Sequence, residues 1–476
     1  MSGELASSEG SQQLSRAGNS LSGVWSFLGR LRAPQLFALS FLLLIVLGTF
    51  ALKLPGVVAD GHSLSWLDAL FTSTSAVCVT GLIVVDTSEA FTFGGQFVIL
   101  TLIQLGGLGM LSFTSLIILT LGGRATLELE DATSGGAEVA PQLDRRHVAR
   151  NILKLTLACE LLGALALWVL WGRGGRWSEE LWPAIFHSVS AFCNAGFSTN
   201  SDSLVPHAGS PMTLLVISLL IVVGGLGFIT NTELAGWVKR RVGLRRSGRL
   251  SLHARLTVVT SLALLVGGWG LLTFFEWGEE LAGFGAIDKL SNGLFMSVTA
   301  RTAGFNTIDY GSATSGSNLL TIMLMFAGGA AGGTAGGVKV TTVALIALLA
   351  WNRIRGRRQL LVFSRTVPAS TVDRAVGVSF VALTLTVIGL LVLTRTEIFG
   401  DTEGRFLQIM FEAFSAFNTV GLSMGSTGDL SATGRWTIIV LMFVGRIGPL
   451  TAAAAVARKL RYADRFRYAH EDVIVG

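Results

Sequence analysis

The strongest constraint in this sequence is a short phrase that occurs four times. Each copy begins with phenylalanine and ends in a small residue, a glycine and a hydrophobic residue. The copies occupy residues 71–82, 186–197, 295–305 and 411–422, and the third is one residue shorter than the others. The spacing is nearly regular, so the four copies indicate one structural unit repeated along a single chain.

The composition places that unit in a membrane. Of 476 residues, 51% are hydrophobic and only 14% are charged, whereas soluble domains carry about 25% charged residues. A run of about 20 apolar residues is long enough to cross the hydrocarbon core as a helix. We predict eight such spans, one on each side of every phrase, at residues 33–54, 94–121, 150–172, 212–238, 254–276, 318–350, 371–394 and 435–458.

These spans divide the chain into four repeats joined by polar segments. The predicted order is an N-terminal segment (1–32), repeat one (33–121), a loop (122–149), repeat two (150–238), a loop (239–253), repeat three (254–352), a loop (353–370), repeat four (371–460) and a C-terminal tail (461–476).

Charge placement predicts the orientation of the repeats. Most of the 36 Lys and Arg residues fall in the two terminal segments and the three loops. The positive-inside rule therefore makes both termini cytoplasmic and places the phrases on the outer side. The basic clusters at 239–249 and 353–358 are typical of topology signals beside acidic lipid, and they are also compatible with docking of a cytoplasmic partner. Nucleic-acid binding is excluded, since it needs a basic folded domain.

Each phrase lies in a segment too short to cross the bilayer. The stretches 65–78, 181–193, 288–300 and 406–418 fall between full spans, so each can enter and leave from the same side as a re-entrant half-helix. Irregular backbone at membrane depth is tolerated where protein or a water-filled cavity surrounds it. We therefore expect the four segments to enclose one cavity around a pseudo-fourfold axis.

The residues that follow each half-helix are suited to line a cation path. They offer backbone carbonyls and almost no side-chain charge, and a ring of carbonyls can replace the water shell of a monovalent cation. Glycine allows the backbone conformations that turn carbonyls toward an axis. The candidate filter residues are Val79, Thr80, Gly81, Asn194, Ala195, Gly196, Thr302, Ala303, Gly304, Thr419, Val420 and Gly421.

With these four tripeptides in order, the sequence resembles the TrkH/KtrB family of potassium transporters over residues 33–460. The resemblance implies an all-α polytopic membrane protein made of four span–pore helix–span units around a central pore. Only polar residues 1–32 precede the first repeat, which favours the KtrB branch. The resemblance further implies K⁺ as the transported ion with Na⁺ as a candidate activator. It also implies a homodimer in a bacterial cytoplasmic membrane and a cytosolic RCK-type ring that binds ATP or ADP.

A glycine-rich segment interrupts the second span of repeat three, between residues 327 and 340. Six glycines within ten residues disfavour a helix, at about 1 kcal/mol each relative to alanine. Close helix packing through small residues is one interpretation, and a phosphate-binding loop is excluded because no soluble strand precedes it. We expect a broken helix whose loop crosses the ion path, with Lys339 repelling cations. The candidate gating residues of this loop are Gly328, Gly329, Gly332, Gly333, Thr334, Gly336, Gly337 and Lys339.

A second charge, Arg446, lies inside the last predicted span. A charge at this depth is costly and indicates a function or a buried partner. Glu412 and Glu233 are possible partners in a structural ion pair. The alternative is a pore-facing charge that limits ion passage below the filter, and the resemblance implies an arginine at this place in repeat four.

Two other functions remain open. A sodium-permeable channel would share this architecture, and in related plant transporters a serine replaces the first filter glycine, which here is Gly81. A coupled secondary transporter would place its site between inverted repeats, whereas these four repeats all start on one side. The sequence suggests no nucleophile–base pair, so we predict neither an enzyme nor an organic cofactor on this chain.

Overall fold

A computed structural model describes residues 33–109, 145–172, 175, 177–243, 250–357, 359–397 and 404–448. The predicted N-terminal segment and C-terminal tail lie outside these residues, as does most of the predicted loop 122–149. The helices are α1 (Ala33–Leu52), α2 (Trp66–Val77), α3 (Thr87–Ala90), α4 (Phe93–Leu108), α5 (Arg145–Trp171), α6 (Trp177–Cys193), α7 (Pro211–Leu226), α8 (Phe228–Arg241), α9 (Leu252–Glu276), α10 (Ala286–Thr299), α11 (Ser315–Phe326), α12 (Val340–Ile354), α13 (Ala369–Glu397), α14 (Arg405–Phe417) and α15 (Ala432–Ile447).

Hydroxyl side chains define where several of these helices begin. The Ser65 hydroxyl accepts the Asp68 N–H at the start of α2, at 3.1 Å, and Ser251 and Ser431 cap α9 and α15 in the same way. Such caps satisfy one of the N–H groups that a helix start leaves without a partner. The helix starts are therefore set by local sequence.

The helices repeat in the predicted order, which confirms the all-α, four-repeat fold class. A long helix (α1, α5, α9 or α13) is followed by a shorter pore helix (α2, α6, α10 or α14) and then by a second helix (α4, α7, α11 or α15). Among the described residues, the four long helices are long and apolar enough to cross a membrane. Their outward faces carry exposed residues such as Leu43, Leu161, Phe274 and Phe380, as expected for contact with lipid.

The second helix of repeat two departs from the prediction of one span over 212–238. It ends at Leu226 and resumes at Phe228, and the two parts are bent by 108°. The break lies at Gly227, whose φ of 79° and ψ of 152° are accessible only to glycine. The prediction of a continuous helix was wrong because the apolar pattern does not show where a backbone turns.

A short hairpin is the one addition to the helical fold in the described part of the chain. Strands β1 (Leu361–Val362) and β2 (Arg365–Thr366) pair antiparallel within the predicted loop 353–370. The two turn residues, Phe363 and Ser364, both have positive φ, the geometry of a tight two-residue turn. Leu360 and Val362 pack with residues of α9, α12 and α13, so the hairpin covers one end of repeat three.

Buried clusters join neighbouring repeats. One cluster combines repeats one and four with Phe186 and Ala195 of repeat two. A second joins repeats two and three, and a third joins repeats three and four. Among the described residues, repeats one and four thus pack against each other, and the four repeats close into a ring.

Candidate functional site

The four candidate filters share one backbone conformation. The first residue of each tripeptide has positive φ: 56° at Val79, 58° at Asn194, 73° at Thr302 and 50° at Thr419. The final glycine also has positive φ, whereas the middle residue does not. Positive φ at a β-branched residue is strained, on the order of 1–3 kcal/mol, and such strain clusters at functional sites. Val79, Thr302 and Thr419 are β-branched and strained, whereas Asn194 adopts positive φ more readily. One conformation shared by four equivalent positions indicates one shared purpose.

The four filters form a closed ring. A Cβ atom added to any of the final glycines would lie within 3.0 Å of a carbonyl oxygen of the next repeat. The pairs are Gly81 with Ala195, Gly196 with Ala303, Gly304 with Val420, and Gly421 with Thr80. Each repeat thus contacts the next, and repeat four contacts repeat one, so the carbonyls of the four middle residues lie around one axis. Repeats two and four face each other across this axis.

Hydroxyl groups of the pore helices hold the ends of the filters. The Ser75 and Ser415 hydroxyls accept the N–H of Gly81 and Gly421 at 3.0 and 3.1 Å. In the other two repeats the hydroxyl donates instead, from Ser190 to the Phe197 carbonyl at 2.8 Å and from Thr299 to the Phe305 carbonyl at 2.6 Å. Each filter is thus fastened to its own pore helix.

The missing residue of repeat three is absorbed at the end of its pore helix. The middle filter N–H bonds a carbonyl five residues back in the other repeats, as from Thr80 to Ser75 at 2.8 Å. In repeat three, the Ala303 N–H bonds the Thr299 carbonyl, four residues back, at 3.0 Å. The tripeptide itself keeps the conformation of the others, so the deletion leaves the ring closed.

The glycine-rich segment of repeat three is a loop between two helices. Residues 327–339 connect α11 to α12, and the two ends of the loop are bonded to each other. The Gly328 N–H donates to Val338 at 2.9 Å, and the Val340 N–H donates to Gly329 at 3.0 Å. We call residues 327–339 the intramembrane loop.

The intramembrane loop contacts two repeats that face each other. Toward repeat two, the Ala330 N–H donates to the Gly225 carbonyl at 2.9 Å, and the Thr334 hydroxyl donates to the Phe192 carbonyl at 3.1 Å. Toward repeat four, a Cβ on Gly336 would meet the Thr419 side chain. Thr419 is the first residue of its filter, so the loop packs between repeat two and the filter of repeat four.

Arg446 joins this loop to repeat one. Its side chain is 3% exposed, and its guanidinium donates to the Thr334 carbonyl and, at 2.9 Å, to the Gly106 carbonyl. Among the described residues it has no carboxylate partner. Glu412 is bonded to Ser423 and Thr427, and Glu233 accepts the Ser251 N–H at 2.8 Å. The geometry therefore makes Arg446 a link between loop and helix.

Lys339 lies at the end of the intramembrane loop, immediately before α12. Its ammonium group donates to the Ala335 carbonyl at 2.9 Å. The ammonium group is thereby held against the backbone of the loop.

Sequence reasoning missed two polar groups near the ring, a buried carboxylate and a half-buried guanidinium. Glu160 on α5 is 5% exposed, and the Gln104 amide donates to it at 3.1 Å. Arg301 directly precedes the third filter and donates to the Ser261 carbonyl at 3.3 Å. A carboxylate within the apolar run 150–172 was the available signal for Glu160, and for Arg301 the signal was its position directly before Thr302.

Comparisons with known proteins identify the family. Residues 35–467 match the family model of TrkH, described as a cation transport protein. The chain belongs to the TrkH family. It is 36% identical to the potassium/sodium uptake protein NtpJ of Enterococcus hirae, covering 94% of this chain and 98% of that protein. It is 39% identical to the Ktr system potassium uptake protein B of Bacillus subtilis, covering 91% and 96%.

A solved structure supports the fold of this TrkH-family chain. The potassium transporter TrkH of Vibrio parahaemolyticus superposes with a TM-score of 0.70 at 22% identity, covering 90% of this chain and 86% of that one. The match to the TrkH family model confirms the predicted family. The chain is therefore a membrane protein of a cation transport family and not an enzyme.

Proposed function

We propose that this chain takes up K⁺ into a bacterial cell through the ring of four filters. The observation that carries the proposal is the closed ring itself, in which a carbonyl of each repeat faces the filter glycine of the preceding one. Carbonyl oxygens arranged around an axis can replace the hydration shell of K⁺. The names of its relatives, potassium uptake proteins, point the same way.

The pore helices add to the attraction for a cation. Each ends with at most two residues between it and its filter, as α2 does at Val77 and α14 at Phe417. A helix C-terminus carries a partial negative charge of roughly half an elementary charge. Four such ends directed at the ring favour a desolvated cation there, and K⁺ then moves inward down its electrochemical gradient.

The intramembrane loop is the proposed gate of this path. It crosses beneath the ring and closes the route that an ion would take from the filter, while Lys339 and Arg446 place positive charge at the crossing. Opening requires the loop to leave its hydrogen bonds with Gly224, Gly225 and Arg446. The loop glycines and Thr334 form the moving part of the gate.

Control from the cytosol extends this proposal. A relative is named as a component of a Ktr system, which supports a second subunit. We assign that role to a cytosolic RCK-type ring that binds ATP or ADP, acting on a homodimer whose termini are cytoplasmic and which lies in the cytoplasmic membrane. Na⁺ is the proposed activator.

Sodium permeation is the alternative within the same architecture, and the name of the Enterococcus relative, a potassium/sodium uptake protein, favours considering it. A coupled secondary transporter is the alternative from another class. It is less well supported, because the four filters contact one another in the same sense around a single ring.

The deciding experiment is rubidium uptake into liposomes that contain this chain alone, with excess K⁺ or Na⁺ as competitor. Suppression by K⁺ and not by Na⁺ is the expected result. Equal suppression by both ions would favour the sodium-permeable alternative. Uptake that begins only after a cytosolic ring subunit is added would locate the control while leaving the pore in this chain. Absence of uptake under both conditions would contradict the proposal.

A further inference from the structure

The outer ends of the filters are held differently in alternate repeats. The residue after the phenylalanine of each phrase is Thr72, His187, Met296 or Glu412. In repeats two and four this residue bonds a serine two positions beyond the filter glycine. His187 Nε2 lies 2.9 Å from the Ser198 hydroxyl, and the Ser423 hydroxyl donates to Glu412 at 2.5 Å.

Repeats one and three have no such bond in the part of the chain that the structure describes. The Thr72 hydroxyl is buried without a partner, and Met296 lies in the apolar cluster that joins repeats three and four. Because repeats two and four face each other across the axis, the fourfold ring is reduced to twofold symmetry at its outer end.

Glu412 makes the larger of the two braces. It is fully buried in α14, one turn before Ser415, the residue that braces the repeat-four filter. Besides Ser423, the Met424 N–H donates to the same carboxyl oxygen at 3.2 Å, and the Thr427 hydroxyl donates to the other oxygen at 2.6 Å. One side chain thus collects three hydrogen bonds from residues 423–427.

The segment bound by Glu412 leads directly out of the repeat-four filter. Gly421 has a φ of 95°, and the space where its Cβ would lie is occupied by the Thr80 carbonyl. A displacement of residues 423–427 would therefore move Gly421 and with it the spacing of the carbonyl ring. Buried hydrogen-bond networks of this kind fix one geometry when every member is satisfied.

We propose that Glu412 is a positioning residue for ion selectivity, acting through its hydrogen bonds to residues 423–427 and without contact with the ion. The hydrogen bond between His187 and Ser198 positions the filter of the opposite repeat in the same way, with fewer bonds. This inference rests on the proposed function, since it assigns a determinant of selectivity to the same filter ring.

The test compares Glu412→Ala and Glu412→Gln by rubidium uptake into liposomes, with K⁺ and Na⁺ as competitors. We expect Glu412→Ala to reduce the preference for K⁺ over Na⁺ about tenfold, the order of effect of losing a satisfied buried network. Glu412→Gln keeps an acceptor for Ser423 and Met424, so it should retain the preference to within about threefold. The KM for rubidium should rise more than the maximal rate falls.

Met296→Ala is the matched control, because it removes a buried side chain at the equivalent position of repeat three. It should lower thermal stability and leave selectivity unchanged. If Glu412→Ala does not assemble, Ser423→Ala and Thr427→Val each remove one of the hydrogen bonds to Glu412, together with the Ser423–Thr427 bond, and should reduce the preference about threefold.

The outcomes separate this inference from the proposed function. A wild-type chain that does not prefer K⁺ contradicts the proposed function, whatever the variants do. A selective wild type with an equally selective Glu412→Ala contradicts only the positioning role. Glu412→Gln that fails as badly as Glu412→Ala would show that the charge, and not the hydrogen bonds, is required.

Discussion

The filter ring and the intramembrane loop are adjacent and both rich in glycine, but glycine serves different ends in them. In the ring, every final glycine has positive φ and faces a carbonyl of the next repeat. In the loop, only Gly332 and Gly337 have positive φ. Gly336 instead leaves room for the Thr419 side chain. In the ring, glycine allows the backbone conformation of the filters. In the loop, it leaves space for a side chain of the neighbouring filter.

The two regions also differ in how they are held. The ring is built four times, and each filter is fastened to its own pore helix by a nearby hydroxyl. The loop exists in one repeat and is held by a few hydrogen bonds to distant residues. Its Ala330 N–H donates to the Gly225 carbonyl, and Arg446 links its Thr334 carbonyl to that of Gly106. A symmetric ring with local supports suits selection of an ion, whereas one asymmetric segment with long-range bonds suits movement.

The most severe test of the ring is Gly421→Ala. A Cβ there would collide with the Thr80 carbonyl, and the φ of 95° disfavours alanine. We expect loss of K⁺-selective rubidium uptake in liposomes. Gly267→Ala on α9, which would meet nothing within 4 Å, is the control and should transport normally. Normal selectivity in Gly421→Ala would mean that the ring does not select the ion.

Gly81→Ser tests the first filter of the same ring, at the place where related plant transporters carry a serine. Its Cβ would press on the Ala195 carbonyl, and the added hydroxyl brings an oxygen of its own to the ring. We expect uptake to continue while the preference for K⁺ over Na⁺ falls about tenfold, which corresponds to about 1.4 kcal/mol. The competition assay measures this directly, and an unaltered K⁺ preference would contradict the assignment of the first filter.

Much of the ring could be predicted from sequence, because four copies of one local pattern report the same structure. Val79, Asn194, Thr302 and Thr419 were placed correctly in short segments after pore helices. Which repeat neighbours which, and which carbonyl faces which glycine, depend on contacts more than 100 residues apart in sequence, such as Gly81 with Ala195. No local pattern encodes such contacts.

The surroundings of the intramembrane loop were harder to predict for the same reason. Its position follows from six glycines in a helical span, but its partners do not. Arg446 was expected to have a carboxylate partner or to face the pore, and its actual partners are the Thr334 and Gly106 carbonyls. Backbone carbonyls leave no mark in the sequence. The bend at Gly227, which contacts the loop, lies within an apolar run that gives no sign of it.

Arg446→Ala tests whether the loop is held as a gate. The substitution removes the two hydrogen bonds of the guanidinium, so the intramembrane loop is no longer linked to α4. The loss of even one hydrogen bond from a charged donor shifts the equilibrium toward the open form of the loop about tenfold. We expect faster rubidium uptake with K⁺ preference preserved, since the ring is intact. Arg446→Lys should show a smaller increase, because lysine cannot reach both carbonyls in the fork geometry of arginine.

Arg353→Ala is the matched control for Arg446, since Arg353 is an exposed arginine at the end of α12. It should leave uptake unchanged. Aggregated protein from Arg446→Ala, together with normal behaviour of Arg353→Ala, would point to a structural role for the buried arginine instead of a gating one.

The smallest expected effect belongs to Lys339, and it separates charge from hydrogen bonding in the loop. Lys339→Met removes both the charge and the bond to the Ala335 carbonyl, whereas Lys339→Gln keeps a donor for that carbonyl. If positive charge repels cations beneath the ring, both variants should raise rubidium uptake by about threefold, the order of effect of a modest electrostatic barrier. A glutamine variant that behaves as wild type, beside a faster methionine variant, would instead assign Lys339 to holding the loop closed through its hydrogen bond.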